Sequence, residues 1–305
     1  MKATRDGYGE ALAELGGKNP NVVALDADLS CSTRTKLFAD KFPDRFFNAG
    51  VAEANMIGMA AGLALSGKVA FASTFAVFAT NRCFDQIRVS VAYPALDVKI
   101  AASHSGITVG EDGASHQALE DIALMRSLPN MKVVVPADAI EAGKAVFAIA
   151  GSPGPFYLRL GRPKVPLLEG QEFTLGKANV LRDGSDVALI ACGYMVHEAL
   201  EAAELLKSKG VSARVINMHT VKPLDEKAIL KAAKETGRIV TCEEHSRIGG
   251  LGSAVASILS EKRPTPMRIV GTDDTFGESG LPAELIKKYG LSGAHIAKAA
   301  KELLK

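Results

Sequence analysis

The sequence has no tryptophan and only four cysteines among its 305 residues. Cys31, Cys83, Cys192 and Cys242 stand far apart, so no zinc knuckle or Cys-x-x-Cys redox pair can be read from their spacing. They are expected as buried thiols of a reducing compartment. No charge of one sign dominates. The formal net charge of +2 leaves no large basic surface, and nucleic acid is not expected as a partner. Long apolar runs are also missing: Met56–Leu65 falls well short of the roughly 18 residues that a membrane span needs. The start, Met-Lys-Ala-Thr-Arg-Asp, has no apolar signal core. The expectation is a soluble cytoplasmic protein without membrane contact. Hydrophobic residues at 47% and charged residues at 23% exclude a disordered chain, and the length suits two α/β domains.

Short apolar, β-branched runs alternate with longer amphipathic ones. Val22–Leu25, Val69–Ala72, Val98–Ala102 and Lys132–Val135 read as strands, and Phe156–Leu158 as the strand that closes the unit. Gly7–Leu15, Glu53–Leu65, Phe84–Ala92, Leu119–Leu128 and Ala139–Ala150 read as helices. Near-continuous apolar strands between helices predict a mostly parallel sheet covered on both faces. From Gly161 to Gly184 the pattern is broken by Pro163, Pro166, Gly170 and Gly176, as in an inter-domain linker. It resumes with strands at Val187–Ala191, Ala213–Ile216 and Arg238–Cys242. Helices follow at Val196–Lys207, Leu224–Lys234, Gly252–Leu259, Pro282–Lys288 and Ala294–Leu304. The expected fold class is α/β, with two domains that are each a mostly parallel sheet flanked by helices: residues 1–165 and 185–305, joined by a linker at 166–184.

Ligands of such sheets bind beyond the carboxyl ends of the strands. In the first domain those ends carry Asp26, Asp28, Ser30 and Ser32; Asn48, Gly50 and Glu53; Ser73, Thr74, Phe75 and Phe78; Ser103, His104, Asp112 and His116; and Arg159 and Arg162. The second domain offers Cys192, His219, Glu243, Glu244 and His245. Glu53 opens an otherwise apolar helix. It suits either a first-turn complement to the helix dipole or a carboxylate facing an apolar cavity, where burial favours holding or sharing a proton. The helix N-terminus opposes that effect, which leaves the net sign open. His104 and His116 bracket an Asp-Gly turn, and His116 is expected to begin a helix. Each imidazole alone suits a structural role; two on one loop, with a carboxylate between, suit chemistry. Their spacing matches no HExxH metal motif. Arg162 reads as an exposed loop residue or as a fork for a phosphate. Phe75 and Phe78 read as core or as a platform for a flat heterocycle. Gly249-Gly250-Leu251-Gly252 opens a helix after a strand, in the manner of a dinucleotide loop. Tight helix–strand packing accounts for these glycines adequately.

Three segments together resemble the pyrimidine-binding domain of transketolases: Gly50-Val51-Ala52-Glu53 with its Gly/Ala-rich helix, Ser73-Thr74-Phe75-Ala76-Val77-Phe78, and His104 through Gln117. The likeness continues through Glu243-Glu244-His245 and the glycine loop, over essentially the whole chain. The family's front domain carries a Gly-Asp-Gly…Asn motif, which has no counterpart here. The chain therefore resembles the C-terminal subunit of a split transketolase. That resemblance implies transfer of a two-carbon ketol unit between sugar phosphates, as in the pentose phosphate pathway. It implies thiamine diphosphate as cofactor, Mg2+ or Ca2+ held by an N-terminal partner subunit, and a heterotetramer with two of each chain. It places Glu53 at N1′ of the aminopyrimidine, Phe78 against that ring with Phe75 beside it, and Asp28 near the cofactor. It assigns His104, Asp112 and His116 to the substrate channel, with both histidines handling hydroxyl protons, and Arg5, Ser32 and Arg162 to the sugar phosphate. Ala52 departs from the family's arginine before the glutamate, and Asn81 from its continued aromatic platform. Three similar alternatives are the back half of a 1-deoxyxylulose-5-phosphate synthase, the β subunit of a 2-oxo acid dehydrogenase, and a non-catalytic regulatory subunit. His104 argues against the first. Arg162 with the paired histidines argues against the second, and the intact Glu53 and histidine loop against the third.

Overall fold

The computed structural model describes residues 1–305, and its elements follow the alternation of the sequence. The first part of the chain forms β1 (Lys2–Ala3), α1 (Thr4–Lys18), β2 (Val22–Asp26), α2 (Ser30–Thr33), α3 (Lys36–Lys41), β3 (Phe46–Asn48), α4 (Glu53–Leu65), β4 (Val69–Phe75), α5 (Phe84–Gln86), β5 (Val98–Ser103), α6 (Asp121–Ser127), β6 (Lys132–Val134), α7 (Ala139–Ala150), β7 (Phe156–Arg159) and β8 (Lys164–Val165). The second part forms β9 (Asn179–Arg182), β10 (Val187–Ala191), α8 (Met195–Lys207), β11 (Ala213–Asn217), β12 (Thr220–Lys222), α9 (Glu226–Thr236), β13 (Ile239–Ser246), α10 (Leu251–Lys262), β14 (Met267–Thr272), α11 (Pro282–Lys288) and α12 (Gly293–Leu303).

Strands β6, β7, β5, β4, β2 and β3 lie side by side in that order, every neighbouring pair parallel. All residues of β2, β5 and β7 are buried, which is why their sequences are continuously apolar rather than alternating. The chain leaves β2 for β3 on one side and then crosses to β4 on the other. Loops that depart in opposite directions open a crevice at the carboxyl ends of β2 and β4, the usual ligand position of an open α/β sheet. Helix α4 buries Glu53, Met56, Ile57, Ala60 and Ala61, a 3–4 spacing that seats one face on the sheet. The second sheet has the order β14, β13, β10, β11, β9, with only the β11–β9 pair antiparallel. One apolar cluster of 39 buried residues runs from Val23 and Ile57 to Ile216 and Leu259, so the two sheets share a continuous core. No helix is long and apolar enough to cross a membrane.

Several local expectations are corrected. Strand β9 lies inside the stretch read as linker; it is short, partly exposed and antiparallel, and so lacks the buried-strand signature. Strand β12 crosses over to pair antiparallel with β6, extending the first sheet to seven strands beyond its expected closure at β7. Strand β14 escaped notice because Arg268 and Gly271 interrupt its apolar pattern. The helix expected at Phe84–Ala92 is only briefly α-helical, at α5. Ile87–Ala92 continues in wider π turns, and a further π turn spans Phe78–Arg82. His116 sits in a turn, and the helix after it starts at Asp121. Cys31 is exposed on the short α2, whereas the other three thiols are buried as expected.

Helices α1 and α7 cross at close range through a glycine. A Cβ added at Gly7 would lie 2.1 Å from the Ala139 carbonyl oxygen, which is backbone and cannot rotate away. Gly7→Ala is therefore expected to cost about 1–3 kcal/mol of stability. The check is the urea unfolding midpoint, and an unchanged midpoint would contradict the packing described.

Candidate active site

The crevice is built from loops that the sheet topology brings together. At its rim, Asn48 Oδ1 accepts from the backbone N–H of Asp28 at 3.1 Å and of Gly50 at 2.9 Å, tying the ends of β2 and β3. Three residues beyond that turn, Glu53 opens α4. It is 6% exposed. No side-chain cap hydrogen bond is made at the start of this helix. Instead Glu53 Oε1 accepts from Arg82 Nη1 at 2.9 Å. Glu53 thus stays in the first turn of the helix, where it complements the dipole, and its carboxylate is buried and paired with Arg82.

The neighbouring surface is aromatic. Phe75 ends β4, and its ring stacks on Phe78 with centroids 5.7 Å apart and planes 15° from parallel. His104 stacks on Phe75 at 3.8 Å, and His116 meets Phe78 edge-on at 5.3 Å. Phe78 also carries the Arg82 guanidinium, whose carbon lies 4.1 Å from the ring centroid. The glutamate, the two phenylalanines and the two histidines are thus brought into one continuous site.

His104 is held in a defined state. Its Nε2 lies 3.1 Å from Arg5 Nη1, and its Nδ1 lies 2.9 Å from Ser103 Oγ. Arginine has no acceptor, so Nε2 must accept, and Nδ1 carries the hydrogen and donates it to Ser103. This tautomer is assigned from the partners. Burial pushes the His104 pKa down to about 3, and the charges of Arg5 and Arg162, with His116 and Arg34 nearby, act in the same direction. The expectation that His104 shuttles protons is thereby narrowed: a ring that stays neutral around pH 7 offers a lone pair at Nε2 and does not act there as an imidazolium acid.

The loop carrying His104 and His116 bends sharply. His104 itself has φ +56°, and Gly106 has φ +79°. A side chain at Gly106 would also collide with the Glu244 carboxyl group, 2.3 Å away. That carboxylate accepts from the Thr108 backbone N–H at 2.5 Å, and Gln117 Nε2 donates to the Glu278 carbonyl at 2.9 Å. The second part of the chain therefore fastens the loop at two points. Burial raises Glu244 to about 7, despite the opposing charge of Arg159.

The remaining candidates are more scattered. Arg5 donates to the Ser32 carbonyl at 3.0 Å as well as to His104, so Ser32 contributes its backbone. Arg162 donates to the Val109 carbonyl and to Glu111 Oε2, the latter at 3.1 Å, with Asp112 Oδ2 3.9 Å away. Asp112 is exposed. Asp28 is exposed too, and its carboxylate meets only Asn48, at 3.2 Å. Asn81 donates to Glu120 Oε1 at 2.6 Å, away from the ring stack. The glycine loop before α10 is no dinucleotide site, because Glu243 already accepts from its free N–H groups, Leu251 at 2.6 Å and Gly252 at 2.8 Å. Sequence reasoning missed Arg82; its signal was the spacing Phe78-x-x-x-Arg82, which returns a cation to the ring one turn later.

Residues 1–166 match the family model for the transketolase pyrimidine-binding domain, and residues 176–296 the model for the transketolase C-terminal domain. The chain is 52% identical over 309 residues to a protein of Methanocaldococcus jannaschii named "Putative transketolase C-terminal section", covering all of this chain and 97% of that one. It is 48% identical over 301 residues to a 6-deoxy-6-sulfo-D-fructose transketolase subunit of Clostridium sp. strain MSTE9, covering 98% and 94%. Human transketolase is 41% identical over 309 residues, which are 99% of this chain and 49% of the human protein. Among solved structures, one described as "Split gene transketolase, inactive beta4 tetramer" superposes with a TM-score of 0.93 at 52% identity, covering 100% of this chain and 99% of that one.

The state of His104 is directly measurable. In spectra of protein labelled with 15N-histidine, His104 is expected to show the Nδ1-protonated neutral form and no titration between pH 5 and 8. A His104 midpoint near 6.5, the unperturbed value, would contradict the arrangement.

Proposed function

The chain belongs to the transketolase family, and from that premise we propose that it is the C-terminal, pyrimidine-binding subunit of a two-subunit transketolase. With an N-terminal partner it would move a two-carbon ketol unit from a ketose phosphate to an aldose phosphate. The observation that carries this reading is the buried Glu53 carboxylate, joined through Arg82 to the face of Phe78 at the switch point of the sheet. An aminopyrimidine needs those two things: a carboxyl group at a ring nitrogen and a flat apolar surface. The residues present fit that half of thiamine diphosphate. The diphosphate and its Mg2+ or Ca2+ are assigned to the partner, since no Gly-Asp-Gly…Asn motif occurs in this sequence. A heterotetramer with two of each chain would close the site between subunits. The description of the solved neighbour as an inactive assembly of β chains supports the need for a partner. So do the relative named a C-terminal section and the twofold length of the human protein.

When bound, thiamine diphosphate would supply the nucleophilic carbon that attacks the ketose carbonyl. The residues of this chain have narrower tasks. Glu53 holds or shares a proton at the pyrimidine nitrogen. Phe75 and Phe78 keep the ring flat and exclude water, and Asp28 stands at the rim. His104 accepts a substrate hydroxyl at Nε2 in place of Arg5, and His116 and Asp112 contact further hydroxyls along the channel. Released from His104, Arg5 would join Arg162 and Ser32 at the terminal anionic group of the sugar, a phosphate in the proposed reaction. The Clostridium relative is named for a sugar with a sulfonate in that position. The same cluster of guanidinium groups suits either anion.

Two linked measurements test the proposal. The isolated chain is expected to show no ketol transfer, and addition of an N-terminal transketolase subunit with thiamine diphosphate and Mg2+ to restore it. Within that complex Glu53→Gln should assemble normally yet lose turnover by roughly 100-fold. Near wild-type rates for Glu53→Gln, or full activity of the isolated chain, would defeat the reading.

A further inference from the structure

Arg82 has no task in the reaction just described, yet it holds both groups on which the site depends. Its Nη1 donates to Glu53 Oε1 at 2.9 Å, and its guanidinium carbon lies 4.1 Å from the centroid of Phe78. Glu53 makes no other side-chain hydrogen bond than this one. The other contacts of Phe78 are already made, with Phe75 stacked at 5.7 Å and His116 at its edge at 5.3 Å. A guanidinium is flat, delocalised and edged with N–H donors. It thus presents to Glu53 and Phe78 what an aminopyrimidine protonated at its ring nitrogen would present: an N–H at the ring edge and a planar face. The π turn at Phe78–Arg82 carries the side chain back over the ring. The Arg82 side chain is 54% exposed, so it can swing into water without unfolding anything, whereas Glu53, at 7%, cannot.

We propose that Arg82 is a positioning residue for Glu53: it occupies the aminopyrimidine's place on Glu53 and Phe78, keeps the buried carboxylate partnered and aimed at the ring, and is displaced when the cofactor binds. The proposal rests on the functional reading above and deepens it, because it makes cofactor affinity the outcome of a competition within the chain. Displacement gives up an ion pair with one exposed partner and a cation–π contact, together enough to weaken cofactor binding by about tenfold. Without Arg82 or cofactor, Glu53 is a buried carboxylate with no partner, which destabilises the isolated chain.

The test is calorimetric titration of thiamine diphosphate in Mg2+ into the complex with an N-terminal transketolase subunit, using wild type, Arg82→Gln and Arg82→Lys. Melting of each isolated chain is recorded alongside. Arg82→Gln is expected to bind the cofactor about tenfold more tightly than wild type, while its isolated chain melts several degrees lower. Arg82→Lys keeps a charge but no plane, and should fall between the two in affinity. A merely structural arginine would lower melting and weaken binding together, and cofactor binding by either variant that is weaker than or equal to wild type overturns the proposal. A wild-type complex that binds no thiamine diphosphate would overturn the functional reading, and this inference with it.

Discussion

A carboxylate buried at the head of an apolar helix must have a partner, and the candidate site is arranged around that requirement. Glu53 sits at the crevice between β2 and β4, where water is largely excluded and an unpaired charge is costly. The fold gives it one partner from its own chain, Arg82, placed by a wide helical turn over the neighbouring phenylalanine. A ligand that replaces Arg82 must share a proton with the carboxyl group and offer the same flat surface. The chemistry of the site therefore follows from a solvation constraint as much as from a motif.

The second sheet acts on this site through the histidine loop. Glu244 receives the Thr108 N–H, the Glu278 carbonyl receives Gln117, and Arg159 donates both to the Glu244 carbonyl and to Asp121, which also accepts from Tyr157. Burial alone would raise the Asp121 carboxyl, but the charge and hydrogen bonds of Arg159, together with the Tyr157 hydrogen bond and the nearby His245, hold that carboxyl below its usual value. The resulting ion pair is enclosed and bidentate, unlike the exposed pairs of the surface. These contacts cross a continuous apolar core, so the loop is held by both parts of the chain. A role in holding that loop accounts for the second sheet better than a nucleotide site would, since its glycine loop is closed by its own Glu243.

What the sequence disclosed, and what it hid, follows from where the physical signal resides. Helices Glu53–Leu65 and Ala139–Ala150 were bounded correctly to the residue, and buried strands such as Val187–Ala191 were plain, because burial on both faces writes itself as apolar continuity. Edge strands β9 and β12 are short and antiparallel, and leave little pattern to read. Glu53, Phe75, Phe78, His104 and His116 were legible as candidates because each follows a strand at the carboxyl edge. The neutral state of His104 was not, since it arises first from burial and then from Arg5, Arg162 and Arg34, which are remote in sequence and converge only in the fold. Arg82 was hidden for a different reason: it reaches Phe78 through a local π turn that the apolar pattern does not announce.

The central claim is that Glu53 and Phe78 form the pyrimidine half of a thiamine diphosphate site completed by a second subunit. A crystal structure of this chain assembled with an N-terminal transketolase subunit, thiamine diphosphate and Mg2+ tests it most directly. The account predicts the aminopyrimidine against Phe78, its ring nitrogen within hydrogen-bond distance of the Glu53 carboxyl group, and the metal among residues of the partner. A cofactor bound elsewhere, with Glu53 making no contact to it, would contradict the account.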